Sequence, residues 1–290
     1  YRESNKIDIT TLAYVPPTPS APNNGTTIRQ GNKLPFTWAQ LSEISTTIEN
    51  TLKDDNPNND ITNNTNEFTL NYEGENYTIG VGDWTTVNYN GNNLKVRIMG
   101  FNHDTLSNVD SYIEGNTNNY AGISFEFVEC LSKAVMNNSG TNAGGWGVCN
   151  IRGNLNSITY NSLENKDYIK EVSKEYIATY NNANSVTTSK DKLWLLACSE
   201  IFNNGYKSGA YGTAITKEGE QYKYYKNINA KYSAENKNII KQYNGMIEGW
   251  LLRSCYYNGY AHFTWIDPNG RCYDHLAYSY PGGIAPGFSI

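Results

Sequence analysis

Apolar positions along the chain change their spacing several times, and each change predicts an element. Leu41, Ile44, Ile48 and Leu52 recur at helical spacing. Thr37 precedes them as an N-cap, Gln40 completes a capping box, and Phe36 with Leu41 forms a hydrophobic staple. From Glu67 to Phe101 the period drops to two, through Phe68, Leu70 and Tyr72, then Tyr77 and Ile79, then Thr85 to Tyr89 and Leu94 to Phe101. Asn90-Gly91 joins the last two runs. Asn-Gly between alternating runs predicts a hairpin, because a type I′ turn needs positive φ at both central residues, so an antiparallel meander is expected here. Ile123 to Val128 reads as a buried strand and Cys130 to Met136 as a helix. After Gly144-Gly145-Trp146, the spacing of Val148, Ile151, Leu155 and Ile158 predicts another helix. Trp250-Leu251-Leu252 and the run from Ile284 to Ile290 have the length and composition of buried strands.

The stretches without such a pattern divide into three kinds. Residues 1–31 hold Pro16-Pro17-Thr18-Pro19 and read as a proline-rich linker or the end of an upstream module, which places the main domain at 32–290. Asp54 to Asn66 is a polar loop, and Phe202 to Asn244 reads as a long irregular insertion with a few short strands. The third kind lies between the two apolar runs of the tail. Tyr256, Tyr257, Asn258, Tyr260, His262, Tyr273, Asp274, His275, Tyr278 and Tyr280 follow no period that would bury them all. Tyrosine mixed with small polar residues is the chemistry of binding surfaces, since Tyr offers large contact area at low entropic cost. These ten residues are the candidate ligand contacts.

Composition narrows the alternatives. A net charge of -5 over 290 residues, with no cluster of Lys and Arg among aromatics, gives no footprint for nucleic acid. No apolar run approaches the roughly 18 to 20 residues of a membrane span, so no membrane insertion is expected. The five cysteines are scattered without C-x-x-C spacing, which predicts free thiols and neither a disulfide framework nor a zinc site. Cys255 and Cys272 fall in the polar tail and are expected to be the more exposed. His103-Asp104 has no second His-rich motif to complete a metal site, so Asp104 is expected to orient or cap a turn. Arg152, beside an apolar face, calls for a partly buried carboxylate partner, for which Glu200 is the candidate. No metal and no cofactor is expected.

Several of these blocks occur together in a familiar order. Phe36-Thr37-Trp38, Phe101-Asn102-His103-Asp104, Gly144-Gly145-Trp146, Arg152 with Leu155-Asn156, Asp191-Lys192-Leu193-Trp194-Leu195, Glu200, Trp250 to Ser254 and Gly283 to Pro286 resemble, over residues 32–290, a bacterial and phage domain of unknown function. That domain is in turn similar to the ligand-binding variable proteins of diversity-generating retroelements. The resemblance implies an α+β, C-type lectin-like fold of the formylglycine-generating-enzyme type: a small antiparallel sheet flanked by two helices, with long irregular loops. It makes Gly144, Gly145, Trp146, Arg152, Glu200, Trp250, Arg253, Trp265 and Pro286 a structural frame. Ala285 stands where the family's closing motif carries Arg, and Cys149 where its GGW block often carries Ser.

The function implied is a non-enzymatic, hypervariable receptor-binding module on a phage tail tip or bacterial surface, with 255–280 as the binding segment. Its partner would be a protein or glycan on a host or neighbouring cell, and an upstream fibre would make it a homo-trimer. Adenine-directed mutagenesis of AAC or AAT codons never yields Lys, Glu, Gln, Met or Trp. From Cys255 onward Trp265 is the sole residue of those five types, although Lys and Glu are ordinarily common. A β-rich tail that avoids Lys and Glu would show the same depletion. A fixed-specificity adhesin or calcium-independent glycan-binding domain is the alternative. A third reading is a thiol-dependent formylglycine-generating-type enzyme using Cys255 or Cys272, with His262, His275 or Arg271 as the basic neighbour that would stabilise a thiolate, but no Ser/His/Asp, paired-carboxylate or metal constellation accompanies them.

Overall fold

A computed structural model describes residues 31–51, 65–108, 119–178, 186–202, 217–232, 234–256 and 259–290. The expected linker, apart from Gly31, and most of the loop at 54–66 lie outside the described residues, as does Leu52.

Helix α1 spans Trp38–Thr51. It begins where the capping box places it: the Gln40 N–H donates to Thr37 Oγ1 at 3.3 Å, and the Thr37 N–H donates to Gln40 Oε1 at 2.8 Å. Leu41, Ile44 and Ile48 are buried in the main core. Ser45, on the same face, donates its hydroxyl to the carbonyl of Ile290 and accepts the Ile123 N–H at 3.1 Å, which ties the chain's last residue to α1.

The meander is present as β1 (Glu67–Tyr72), β2 (Glu75–Gly80), β3 (Trp84–Tyr89) and β4 (Asn92–Phe101). Asn90 and Gly91 have φ of 50° and 84°, the type I′ pair that the right-handed twist of a hairpin selects. Next come β5 (Ile123–Phe127) and β6 (Ser132–Ala134). A broken helical run follows, with a 3-10 turn at Gly145–Val148, α2 at Asn150–Asn154 and a π turn at Leu155–Thr159. The chain continues with β7 (Val172–Ile177), β8 (Val186–Asp191), α3 (Cys198–Ile201) and α4 (Lys223–Asn227). It closes with β9 (Lys241–Tyr243), β10 (Met246–Glu248), β11 (Trp250–Cys255), β12 (His262–Ile266), β13 (Cys272–Leu276), β14 (Gly282–Ile284) and β15 (Gly287–Ser289).

The architecture is mixed α+β, with most strands in small antiparallel arrangements. A four-stranded antiparallel sheet runs β15-β5-β4-β3, and a five-stranded sheet runs β13-β12-β11-β14-β6. The second sheet is not purely antiparallel as expected, because β11 and β14 run parallel, with Trp250 opposite Gly283. Three two-stranded ladders, β1-β2, β7-β8 and β9-β10, complete the set among the described residues.

Both faces of the five-stranded sheet are covered. Leu251, Phe263 and Ile284 join the main core, while Trp250, Leu252, Ile266 and Cys272 join a second cluster with Met99, Tyr222 and Tyr225. A strand buried on both sides reads as a continuous apolar run, which explains Trp250-Leu251-Leu252.

Two local expectations fail. Cys130 to Met136 is not a helix; its centre is the edge strand β6, paired with β14 through Ala134–Gly282 and Ser132–Ile284. An apolar run this short fits either period, and tertiary pairing decides. The helix after Trp146 forms, but Val148 and Ile158 of its supposed apolar face are exposed while Ile151 and Leu155 are buried. The π turn adds a residue to the winding and rotates the later positions off the face that a regular helix would present.

Candidate functional site

The tail segment forms the outer hairpin of the five-stranded sheet. β12 and β13 pair in the register Thr264–Asp274, Trp265–Tyr273, and β13 is the edge strand. Side chains alternate between faces along each strand, so the predicted contacts divide between two sides of the hairpin.

On one side His262 Nδ1 lies 2.5 Å from Asp274 Oδ2, and the Tyr256 ring is 6.3 Å from the imidazole. On the other side the His275 ring lies 4.6 Å from Trp265, opposite which Tyr273 stands exposed. His275 Nε2–H donates to the Tyr280 carbonyl at 2.6 Å, and burial lowers the pKa of this imidazole. Tyr260, Tyr278 and Tyr280, in the flanking turns, are exposed, with Tyr260 and Tyr280 at 66% and 67%. The ten residues therefore do not make one patch: Tyr257 and Asn258 lie outside the described residues, and the others ring the edge of the sheet.

A support that the sequence reading missed stands behind the turn at 259–262. Asn142, fully buried, donates Nδ2–H to the carbonyls of Gly259 at 2.9 Å and His262 at 2.7 Å, and its backbone N–H to Tyr260 at 2.6 Å. Tyr278 is seated against Gly140, where a Cβ would come within 2.9 Å of the ring. An Asn-rich loop gives no pattern from which this clamp could have been read.

Of the expected frame, Gly145, Trp146, Glu200, Trp250, Arg253 and Pro286 are buried, and Gly144, Arg152 and Trp265 are half-buried. Trp250 donates Nε1–H to Ile239 O at 3.1 Å, and Trp265 packs on Gly249, where a Cβ would lie 2.1 Å from the indole. Gly144 and Gly145 both have positive φ, and Gly145 approaches the Ile177 carbonyl too closely for any side chain. Pro286 accepts the Phe127 N–H at 3.0 Å, and Ala285 is buried in the second cluster where an Arg was expected from the family pattern. Trp146 Nε1–H and Arg152 Nε–H converge on Asp191 at 2.8 and 2.7 Å. Asp191, not Glu200, is the partner of Arg152, because β8 brings the Asp191 carboxylate beside α2.

Glu200 belongs to a different and larger assembly. Arg253 is fully buried and uses all five of its N–H groups: on Glu200 at 2.5 and 2.9 Å, and on the carbonyls of Leu195, Glu175 and Glu218. Glu200 also meets Lys174 Nζ at 2.5 Å, and Lys174 meets Asp104 at 2.6 Å. Asp104 is thus no turn cap. It accepts from Tyr222 at 2.8 Å and Ser124 at 2.5 Å, while the His103 ring stacks on Tyr222 at 3.8 Å. Burial opposes ionisation of Asp104, but Lys174 and His103 outweigh it and hold the carboxyl well below its usual range. Glu218 goes the other way: burial, only partly offset by Arg253, raises it to about 7. A second buried set joins Glu126 to Arg97 at 2.7 Å, Lys241 at 2.8 Å and Tyr225 at 2.7 Å, and its cations bring Glu126 down to about 2 against the effect of burial. The sole advance signal for these groups was a charge inside an apolar run, as at Glu126 between Phe125 and Phe127.

Residues 113–290, well over half of the chain, match the family described as Domain of unknown function (DUF6273). The chain belongs to that family. The match takes in both buried charge clusters except Asp104 and Arg97, and it begins after the β1–β4 meander, which the expected span of 32–290 had included. No curated protein and no solved structure matches the chain.

All five thiols are buried and free, including Cys255 and Cys272, which were expected to be exposed. Cys255 ends β11, which is buried along its whole length, and Cys272 faces the second cluster at the start of β13; burial holds both thiols well above their ordinary pKa. Among the described residues no group of three or more His, Cys, Asp or Glu is placed to hold a metal ion. No helix there is long and apolar enough to cross a membrane.

Proposed function

We propose that this domain is a non-enzymatic recognition module of C-type lectin-like type, a variable protein of a diversity-generating retroelement displayed on a phage tail tip or bacterial surface. It binds a protein or glycan on another cell through the rim of the β12–β13 hairpin. The observation that carries this reading is a contrast in mobility of chemistry and fixity of support. Four exposed tyrosines, Tyr260, Tyr273, Tyr278 and Tyr280, project from a hairpin whose inward residues Phe263, Thr264, Ile266 and Cys272 are buried. Exposed aromatics in such number mark a contact surface. Trp265, the one tail residue that adenine-directed mutagenesis could not produce, is packed on Gly249 and acts as frame.

A thiol-dependent activity draws no support from two buried cysteines with raised pKa, since the thiolate is the nucleophile.

The test combines Tyr260→Ala, Tyr273→Ala and Tyr280→Ala in one chain and measures both unfolding and adhesion to host or neighbouring cells. Stability is expected to change by less than about 1 kcal/mol, as for exposed positions, and adhesion to fall at least tenfold. Unchanged adhesion would remove the hairpin as the binding surface. Sequencing the locus separates the two versions of the reading: a near-copy of this segment, differing only at adenines and lying beside a reverse-transcriptase gene, marks diversification. Without it a fixed-specificity adhesin remains.

A further inference from the structure

Lys174 holds its ammonium between two carboxylates with water excluded. Nζ is 2.6 Å from Asp104 Oδ1 and 2.5 Å from Glu200 Oε1, and the three side chains are 4%, 1% and 0% exposed. Aromatic rings close the rest of the site, with Nζ 4.5 Å from the centroid of Trp194 and 5.5 Å from that of Tyr222. Burying charges this deeply costs several kcal/mol per ion even when they are paired. Replacing the Lys174–Asp104 pair by a neutral group removes both charges at once.

We propose that Lys174 and Asp104 become joined by an intramolecular amide bond, with Glu200 relaying the proton. This inference stands apart from the recognition reading and does not depend on it. The 2.6 Å hydrogen bond holds Nζ beside the Asp104 carboxyl group, and attack on its carbon needs a turn of the Lys174 side chain from the carboxyl plane to the carboxyl face. The Lys174 ammonium gives one proton, by way of the Glu200 carboxylate, to Asp104, and the freed amine lone pair attacks Cγ of the resulting carboxylic acid. The C–N bond forms as the carbonyl π pair moves onto oxygen. Tyr222 donates to both Asp104 oxygens, at 2.8 and 2.9 Å, and Ser124 and Ser289 donate to Oδ2 at 2.5 and 3.2 Å. These hydroxyls are the donors that stabilise the tetrahedral oxyanion. The bond from Cγ to the hydroxyl oxygen then breaks, and the departing hydroxyl takes the proton lost by nitrogen, relayed through Glu200, to leave as water. The balance is ammonium plus carboxylate giving amide plus water, with no oxidant, reductant or activated co-reactant.

Arg253 and the Ala197 N–H, at 2.9 Å, fix the Glu200 carboxylate and make Arg253 a positioning residue for this step. Lys241 is the internal contrast. It is equally buried and lies 2.8 Å from Glu126, but its remaining close partner is the Phe127 carbonyl at 2.6 Å, and a carbonyl cannot relay a proton. One bond is therefore expected, not two.

Intact mass of the purified full chain, denatured and reduced, decides the matter. The expected mass is lighter than the sequence by one water, and proteolysis should yield a branched fragment joining the peptides of Asp104 and Lys174. A mass equal to that of the sequence overturns the proposal, as does a water loss that maps elsewhere, such as a cyclised Asp in a turn. Glu200→Gln cannot accept the proton and should restore the full mass; if it folds and still loses water, Glu200 has no relay role. Should that variant fail to fold, the wild-type mass and peptide map remain decisive.

Discussion

Glu218→Gln tests the electrostatics of the buried core directly. Glu218 accepts the Ile177 N–H at 2.9 Å and a short hydrogen bond from the Ser254 hydroxyl, and its pKa is raised by burial from 4.5 to about 7. The folded protein thus holds a proton on this carboxyl between those two values, where the unfolded chain has released it. Stability from this group is complete below pH 4.5 and is lost as pH rises through 7. At about 1.36 kcal/mol for each pH unit between the two values, the loss amounts to roughly 3 kcal/mol. A neutral Gln keeps Oε1 as the acceptor for Ile177 and never ionises; at the Oε2 position its Nε2–H donates to Ser254 Oγ, so the hydroxyl turns from donor to acceptor there, as it must opposite a protonated acid. The variant should match wild type at pH 5 and exceed it at pH 8, by roughly 5–10 °C in Tm for a domain of this size. His275, whose pKa is lowered by burial, has the opposite dependence in part of this window, and it cancels when the two proteins are compared at each pH. Parallel melting curves for the two proteins from pH 5 to 8 would refute the reasoning, since they would mean Glu218 is ionised throughout.

Three further outcomes are expected. Removing Arg253, as Arg253→Ala, strands Glu200 and three carbonyls in a dry interior and should cost roughly 3–5 kcal/mol, or abolish folding, in denaturant titration. Asn142→Ala removes one of the two donors on each of the Gly259 and His262 carbonyls, which keep the N–H groups of His262 and Tyr256; about 1 kcal/mol is lost for each bond, and hydrogen exchange should rise around residues 259–262 with little change in β4 and β5. On the acid side, Glu126, brought down to about 2 by its cations against the effect of burial, stabilises the fold above its unfolded value. That contribution drains away as pH falls below about 4, so acid titration should show unfolding that Glu126→Gln, already lacking the charge, no longer shares in full.

What could be read in the sequence was whatever depends on neighbours in the chain. The Thr37–Gln40 capping box, the Asn90-Gly91 turn and the doubly apolar Trp250-Leu251-Leu252 are local, and each appears where it was expected. Elements that depend on distant partners were not legible. β6 exists because β14 lies beside it, and Arg152 selects Asp191 because β8 passes α2. Cys255 and Cys272 looked exposed because their neighbours in the chain are polar, yet β11 is covered on both faces and Cys272 is set against the second cluster. Of the site itself, the exposed tyrosines were visible as composition, but their division between two sides of a hairpin is a matter of register. The Lys174–Asp104–Glu200 triad unites three elements, with Asp104 and Lys174 separated by 70 residues, and no spacing announces it.

The parallel pairing of β14 with β11 carries a consequence for how the hairpin can change. The chain runs from β11 into β12 and β13 and returns as β14 on the other flank of β11, with Trp250 and Gly283 side by side. The stretch between β13 and β14 thus joins two strands that are fixed independently, β13 on β12 and β14 on β11 and β6. Closing a longer excursion between fixed ends costs only about 0.6 kcal/mol for each doubling of its length. The exposed stretch 278–281 can therefore be lengthened as well as rewritten, provided the buried residues of β12 and β13, the clamp from Asn142 and the indole of Trp265 are left in place.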